Sequence, residues 1–531
     1  MERKNIIEAI RKGDTALGIE LGSTRVKAVL ISREYEVIAS GSSSWENRLE
    51  NSLWTYHLDD AVRVMQECFL RLSDNVMEEY GVALETAGSI GISGMMHGII
   101  ALDEDGRQLS PFLTWRNTNT ASASEKLTGL FSFNVPLRWT VSQLYQSILN
   151  GEEHVSRIGY VTTLSGYIHY LLTGEKVIGI GEASGMFPID SVSNDYDEAM
   201  AGRFDAILSD NNLPYRLKNI FPKVLVAGER GGVLTPKGAL LLDPSGKLRA
   251  GIPMAAPEGD AGTGMVATNS IRVRTGNVSA GTSVFEMVVL EKNLSRLYRD
   301  IDMVTTPAGR PVAMVHCNNG TSEFDQWFNL LREFYECMGG TPDTSHMYEK
   351  MYKESLKADS DCGDVICFNY LSGEPVTGLR DGRPLLVRKN SSSFTFANFM
   401  RSQLYSVFAS LSIGNRILEN EHVVIERLTG HGGIFKTEGV AQSYLSSAVK
   451  APVTVMKTAG EGGPYGMALL ASYLIWRKKD ESLEDFLDNG AFLNAEGSTV
   501  MADEQDILGY ERYIENYTKL LETEKCAERV F

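Results

Sequence analysis

Two hairpins, one at the head of each half of the chain, constrain this sequence most. The first is ALGIELGSTRVKAVLI over residues 16–31, and the second opens on GNVSAGTS over residues 276–283. In each, β-rich runs flank a turn of glycine and hydroxyl residues. A matching hairpin in each half predicts an α/β protein of two duplicated domains around one cleft. The first turn offers backbone N–H groups, the hydroxyls of Ser23 and Thr24 and the cations Arg25 and Lys27, with Glu20 just before it. Phosphate and metal-bound water suit such a tip, and an ordinary hairpin satisfies the same pattern.

At 531 residues the chain exceeds one hydrophobic core. The reading divides it into an N-terminal domain over 1–270, a C-terminal domain over 271–480 and a charged helical tail over 481–531. A hydrophobic content of 43% predicts a folded protein. The net charge of −17, spread without long runs, argues against nucleic acid or anionic membrane as the main partner. The six cysteines form no paired framework, and neither a signal core nor a membrane-length apolar run is evident. The expectation is a cytoplasmic protein.

The stretch from Gly251 to Ala267 carries the sharpest chemical signal. An apolar run ends in Glu258-Gly259-Asp260, and a Gly/Thr turn then enters a helical pattern at Met265. Asp260 is expected at the helix entry, where free N–H groups and the helix dipole favour its ionised form. A carboxylate beside a small-residue anion loop is what phosphoryl transfer needs, a base for the nucleophile and a cradle for the phosphate. Capping alone satisfies the same pattern.

Further stations follow the same logic. ISGMMHG over 92–98 places Met96 and His97 in a glycine-bounded bend between two strand-like runs. Such a bend lets groups reach a polyhydroxy ligand, and a satisfied core histidine is the plainer reading. LTWRNTNT over 113–120 sets Trp115 and Asn117 among donors, which suits a sugar face or a half-buried loop tryptophan. Residues 179–187 read as a small-residue loop and 220–250 as β/turn rich. In the second half, Asn318-Asn319-Gly320-Thr321 leads into a helix, and a strand over 423–428 ends in Gly430-His431-Gly432-Gly433. EGGPYG over 461–466 then enters the last helix of this half. Alternating strands, glycine turns and helix starts suit nucleotide phosphates and ribose.

Taken in order, these motifs resemble the FGGY carbohydrate kinases, of the actin/hexokinase-like ATPase superfamily, over about Leu17 to Tyr473. The likeness is closest to the xylulokinase-like pentulose kinases. GIELGSTRVK resembles the family's first phosphate motif and GNVSAGTS its second. GISGMMHG is similar to the sugar segment, EGDAGTG to the segment bearing the catalytic aspartate, and GHGG with EGGPYGMALLA to the adenosine end.

The resemblance implies two ribonuclease-H-like domains flanking a central cleft, the first binding sugar and the second nucleotide. It implies Asp260 as the base toward a sugar hydroxyl, most simply that of a ketopentose such as xylulose or ribulose. Met96, His97, Trp115 and Asn117 would contact the sugar. Gly22, Ser23, Thr24 and Lys27, with Gly281 and Thr282, would hold ATP phosphates. Asn319, Gly320, Gly432 and Gly433 would lie at the adenosine, and Glu20 with Asp260 would hold Mg²⁺. A homodimer is expected by resemblance alone. The sequence departs from the family at Glu20, where Asp is usual, at Arg116-Asn117 in place of Asn-Asp, at Ala261 in place of Asn, and at Ile434 in place of a third glycine. Two other readings stay open: an ATPase of the superfamily doing conformational work, and a sugar-sensing paralogue without catalysis.

Overall fold

A computed structural model describes residues 2–456 and 462–530. It divides into two compact units: Met1–Ile271 with Asp302–Val312 and Glu461–Asn494, and Arg272–Ile301 with Ala313–Gly460 and Ala495–Phe531.

The first unit is built on a mixed seven-stranded sheet. Its order is Arg230–Val233, Pro253–Ala255, Ser89–Gly94, Ala16–Leu21, Arg25–Ile31 and Val37–Ser44, and Glu258–Gly259 also pairs with Ser89–Gly94. Ala16–Leu21 and Arg25–Ile31 form the expected antiparallel hairpin, with Glu20 opposite Lys27. Ala16–Leu21 also runs parallel to Ser89–Gly94, with Glu20 opposite Ser93. Both strands are buried almost throughout, as central strands covered on two faces are. The amphipathic helix Leu58–Tyr80 buries Val64, Met65, Phe69, Leu72 and Val76. It approaches Val37–Ser44 so closely that a Cβ on Gly41 would lie 2.4 Å from the Cys68 carbonyl oxygen.

The helix Gly462–Trp476 belongs to this first unit and not to the second half, where the sequence reading placed residues up to 480. It is apolar on every side, as a fully buried helix is. A Cβ on Gly18 would lie 2.1 Å from the Pro464 carbonyl oxygen, and one on Gly466 would lie 1.9 Å from that of Thr263. These glycines let the helix backbone lie directly on the strand Ala16–Leu21 and the helix Asp260–Ala267.

In the second unit, strand order is Pro311–Cys317 (within this unit from Ala313), Val284–Val289, Thr275–Ala280, Arg427–His431, Val453–Met456 and Gly497–Val500. The second hairpin is antiparallel, with Val278 opposite Glu286. Helix Phe396–Asn420 is buried along most of its length. Helix Glu504–Glu528 packs with it through tyrosines: the ring centroids of Tyr405 and Tyr510 are 4.7 Å apart, and those of Tyr405 and Tyr513 are 5.2 Å apart. Arg401, nearly buried, pairs with Asp506 at 3.1 Å.

Four local expectations are corrected. Residues 179–187 are not all loop, because Ile180–Ala183 forms a short helix. The stretch 220–250 includes the helix Pro236–Leu242, started by proline at its first turn and by the Thr235 hydroxyl, which accepts from Gly238 N–H. The late strand is Arg427–His431 rather than 423–428, because its parallel partners begin with Thr275 opposite Arg427. The C-terminal segment is no separate tail. Gly497–Val500 completes the sheet beside Val453–Met456, where hydroxyls of Thr454 and Thr499 meet at 2.8 Å. Glu461 lies outside the described residues.

Candidate active site

Parallel pairing sets the first unit's site. Glu20, Ser93 and Glu258 lie in register across three adjacent strands, and Gly259 faces Gly94. The chain then turns into the helix Asp260–Ala267, so Asp260 stands at its first position. Gly259 is the N-cap and makes no side-chain cap. Asp260 instead accepts from the backbone N–H of Met96 at 3.1 Å, and the Ser93 and Thr263 hydroxyls meet at 3.1 Å beneath it. Asp260 thereby comes close enough that its charge is felt at the Glu20 carboxylate.

The sequence reading expected the helix end to favour ionised Asp260. Burial reverses the direction: it raises Asp260 to about 6, against the lowering effect of the N–H groups of Met96 and Ala261. Burial and the Asp260 charge together push Glu20 up to about 7, with Lys27 opposing. Two half-buried carboxylates, both raised by desolvation and one of them also by the other's charge, suit a divalent cation, whose charge would favour both ionised forms.

His97, 6% exposed, has a left-handed backbone (φ 71°), as does Gly98 (φ 83°). That conformation makes the sharp bend after the strand Ser89–Gly94. A Cβ on Gly185 would lie 2.6 Å from His97 Nδ1 and 2.7 Å from Met96 Cε, so only glycine admits these two side chains there. Leu113 bridges to Ile99 by mutual backbone hydrogen bonds, which brings the Trp115 loop beside this bend. Trp115 is 39% exposed, with the Arg116 guanidinium 5.9 Å from its ring centroid and 4.1 Å from that of Trp54. Asn117 is placed differently from the sequence expectation. Its Oδ1 accepts from Trp54 N–H at 2.9 Å, and its Nδ2 donates to the carbonyls of Trp54 and Thr114 at 2.8 and 3.1 Å. Its amide is spent on the backbone.

In the second unit three predicted segments converge. The N–H groups of Gly320 and Thr321 donate to the carbonyls of Thr282 and Gly281, both at 2.8 Å. A Cβ on Gly320 would lie 2.1 Å from Gly281 O, and one on Gly432 (φ 113°) would lie 2.2 Å from Ala280 O. Asn319 is a scaffold residue: Oδ1 accepts from Leu371 N–H at 2.9 Å and Ser372 N–H at 3.0 Å, while Nδ2 donates to Glu374 Oε2 at 3.1 Å. Gly433 and Thr282 stay exposed.

Sequence reasoning passed over two residues around Asp260. Glu258 accepts from the N–H groups of Gly181 (3.2 Å) and Glu182 (2.9 Å) and so caps the short helix Ile180–Ala183. Burial pushes Glu258 up to about 7. Glu182 is fully buried, and burial raises it well above the carboxylate range. A Cβ on Gly259 would stand 2.2 Å from Glu182 Oε2. Their acidic character inside apolar runs was the available signal; their convergence is a property of the fold.

A half-buried carboxylate at a helix start, in the same unit as a hairpin turn of small residues, equips a protein for phosphoryl transfer to an alcohol. The chain belongs to the FGGY family of carbohydrate kinases: residues 15–267 match the family's N-terminal domain and residues 276–475 its C-terminal domain. It is 22% identical to a xylulose kinase of Haemophilus influenzae over 520 residues, covering 94% of this chain and 98% of that protein. It is 25% identical to an L-fuculokinase of Escherichia coli over 46% of this chain and 50% of that one. A ligand-bound xylulose kinase from Lactobacillus acidophilus shares the fold (TM-score 0.78, 15% identity, 96% of this chain and 98% of that one). Among the described residues no helix is long and apolar enough to cross a membrane.

Proposed function

We propose that this carbohydrate kinase transfers the γ-phosphate of ATP to a hydroxyl of a ketopentose, xylulose or ribulose, with Asp260 as general base. The observation that carries this reading is the Met96–Asp260 hydrogen bond, which fixes a half-buried carboxylate beside the Met96-His97 bend. Asp260 takes the proton as the sugar oxygen attacks the γ-phosphorus and the bond to ADP breaks. With a proton affinity near 6, it is mainly ionised at neutral pH and still a competent acceptor.

The first unit takes the sugar through Met96, His97 and Trp115. Gly22, Ser23, Thr24 and Lys27, and in the second unit Gly281 and Thr282, hold the phosphates. Asn319 shapes the loop that presents Gly320 toward the adenosine, with Gly432 and Gly433. Glu20 and Asp260 would hold Mg²⁺, which when bound neutralises charge on the phosphate oxygens.

The ketopentose assignment leans on the curated relative named xylulose kinase that aligns over nearly the whole chain. The test is ADP release with Mg·ATP across ketopentoses, ketohexoses, tetruloses, polyols, glycerol and sugar acids. Release that depends on xylulose or ribulose supports the reading. Release with another class alone reassigns the substrate, and release indifferent to every sugar overturns it.

A further inference from the structure

We infer that Trp45 and Tyr56 are positioning residues for phosphoryl transfer, holding the carbonyl side of the Gly22–Thr24 turn so that its N–H groups face the phosphates. The inference rests on the reading that this turn holds phosphate. Three consecutive carbonyls of the turn are taken by this one aromatic pair. The Trp45 indole N–H donates to Gly22 O at 2.7 Å, and the Tyr56 hydroxyl donates to Ser23 O at 2.7 Å. The Trp45 backbone N–H donates to Thr24 O at 3.2 Å.

A trans peptide points its C=O and the following N–H in opposite directions. Anchoring Gly22 O therefore aims Ser23 N–H away from the indole, and anchoring Ser23 O does the same for Thr24 N–H. The Gly22 N–H is already used within the hairpin, donating to Arg25 O at 3.0 Å. Ser23 and Thr24 are thus the turn's remaining donors, and both peptide planes are set from behind. Without such anchors a Gly-Ser-Thr turn samples many orientations and must be ordered by each incoming nucleotide.

The anchors themselves are rigid. Trp45 is 6% exposed and Tyr56 2%, with ring centroids 4.3 Å apart. Burial pushes the Tyr56 phenol up to about 12, so it remains a donor throughout the working pH range. Tyr56 directly follows the strand Leu53–Thr55, and Asn117 grips both backbone groups of Trp54 within that strand. The residue expected at the sugar thereby secures the segment that steadies the phosphate turn.

The experiment uses Trp45→Phe, Tyr56→Phe and the double variant, each of which removes a donor and keeps an aromatic ring. Binding of ATP, ADP and adenosine is measured by calorimetry beside steady-state kinetics and thermal unfolding. Each single variant is expected to weaken ATP and ADP binding by about 3- to 10-fold, the effect of one hydrogen bond. KM for ATP should rise accordingly, with adenosine affinity and KM for the sugar unchanged. Equal losses for ATP and adenosine, or wild-type ATP affinity in the double variant, overturn the inference. If Trp45→Phe does not fold, Tyr56→Phe carries the test alone. A Ser23→Pro variant, which removes one of the two N–H donors, separates the two levels. Unchanged ATP affinity there removes the phosphate assignment and this inference with it. Weakened affinity there, with none in the aromatic variants, removes this inference alone.

Discussion

The backbone N–H of Met96 donates to Oδ1 of Asp260 at 3.1 Å, joining residues 164 positions apart in the chain. One hydrogen bond therefore ties the glycine-bounded bend after the strand Ser89–Gly94 to the first residue of the helix Asp260–Ala267.

Asp260→Asn keeps the shape and an acceptor for Met96 N–H but cannot take a proton at neutral pH. Turnover should fall by about 10²- to 10⁴-fold, the usual contribution of a general base, while ATP affinity and thermal stability hold. A variant with near wild-type kcat would remove Asp260 from the chemistry.

The pH dependence follows from the direction of the shift. Burial holds Asp260 at about 6, above an ordinary aspartate, and only the ionised form accepts a proton. kcat/KM for the sugar should rise with pH through about 6 and level off above 7. A profile flat from pH 5 to 8 would contradict this assignment of the base.

Glu20 stands opposite Lys27 in the hairpin, and its charge is opposed by that of Asp260. Glu20→Gln removes one of the two proposed Mg²⁺-holding carboxylates without changing side-chain length. The Mg²⁺ concentration giving half-maximal rate should rise on the order of 10-fold, in line with loss of a coordinating or supporting partner. Titration of activity with Mg²⁺ at saturating ATP checks it, and an unchanged midpoint would assign Glu20 a structural part only.

In the second unit Glu286 is fully buried, and burial raises it to about 7, with Asn415 beside it partly opposing. Its folded proton affinity exceeds that of an unfolded glutamate. The protonated form therefore stabilises the fold at low pH, and that contribution is lost as pH rises from the unfolded value through about 7. Glu286→Gln, neutral at all pH, should raise the thermal midpoint more at pH 8 than at pH 5. Equal shifts at the two values would show that Glu286 carries no buried charge.

Gly259 leaves no room for a side chain, since a Cβ there would meet Glu182 Oε2 at 2.2 Å and Met96 Cγ at 3.0 Å. Gly259→Ala should displace the start of the Asp260 helix and lower kcat at least 10-fold. Adding Glu182→Ala should return part of the loss. No gain in the double variant would place the obstruction at Met96.

The sequence by itself determined the two hairpins, the amphipathic helices and the order of the motifs. These are local: alternating or continuous apolar runs, glycine turns and helix starts are written within a few consecutive residues. It also determined Asp260 at a helix entry, because Glu258-Gly259-Asp260 and the residues after it are contiguous, although Ala261–Gly264, expected as a turn before a helix from Met265, is the opening of the helix Asp260–Ala267 itself. Only the tertiary structure decided the charge environment. Asp260 is raised and not lowered because burial outweighs the helix end, and burial is set by strands and helices distant in sequence. The same holds for Asn117, whose amide looked available until Trp54 claimed it, and for Trp45 and Tyr56, whose partners lie on the first hairpin. The helix Gly462–Trp476 carries no mark of which sheet it covers, being apolar all round. Its place was decided by where backbones can approach most closely, at Gly18 and Gly466, and that fit exists only once the strands have assembled.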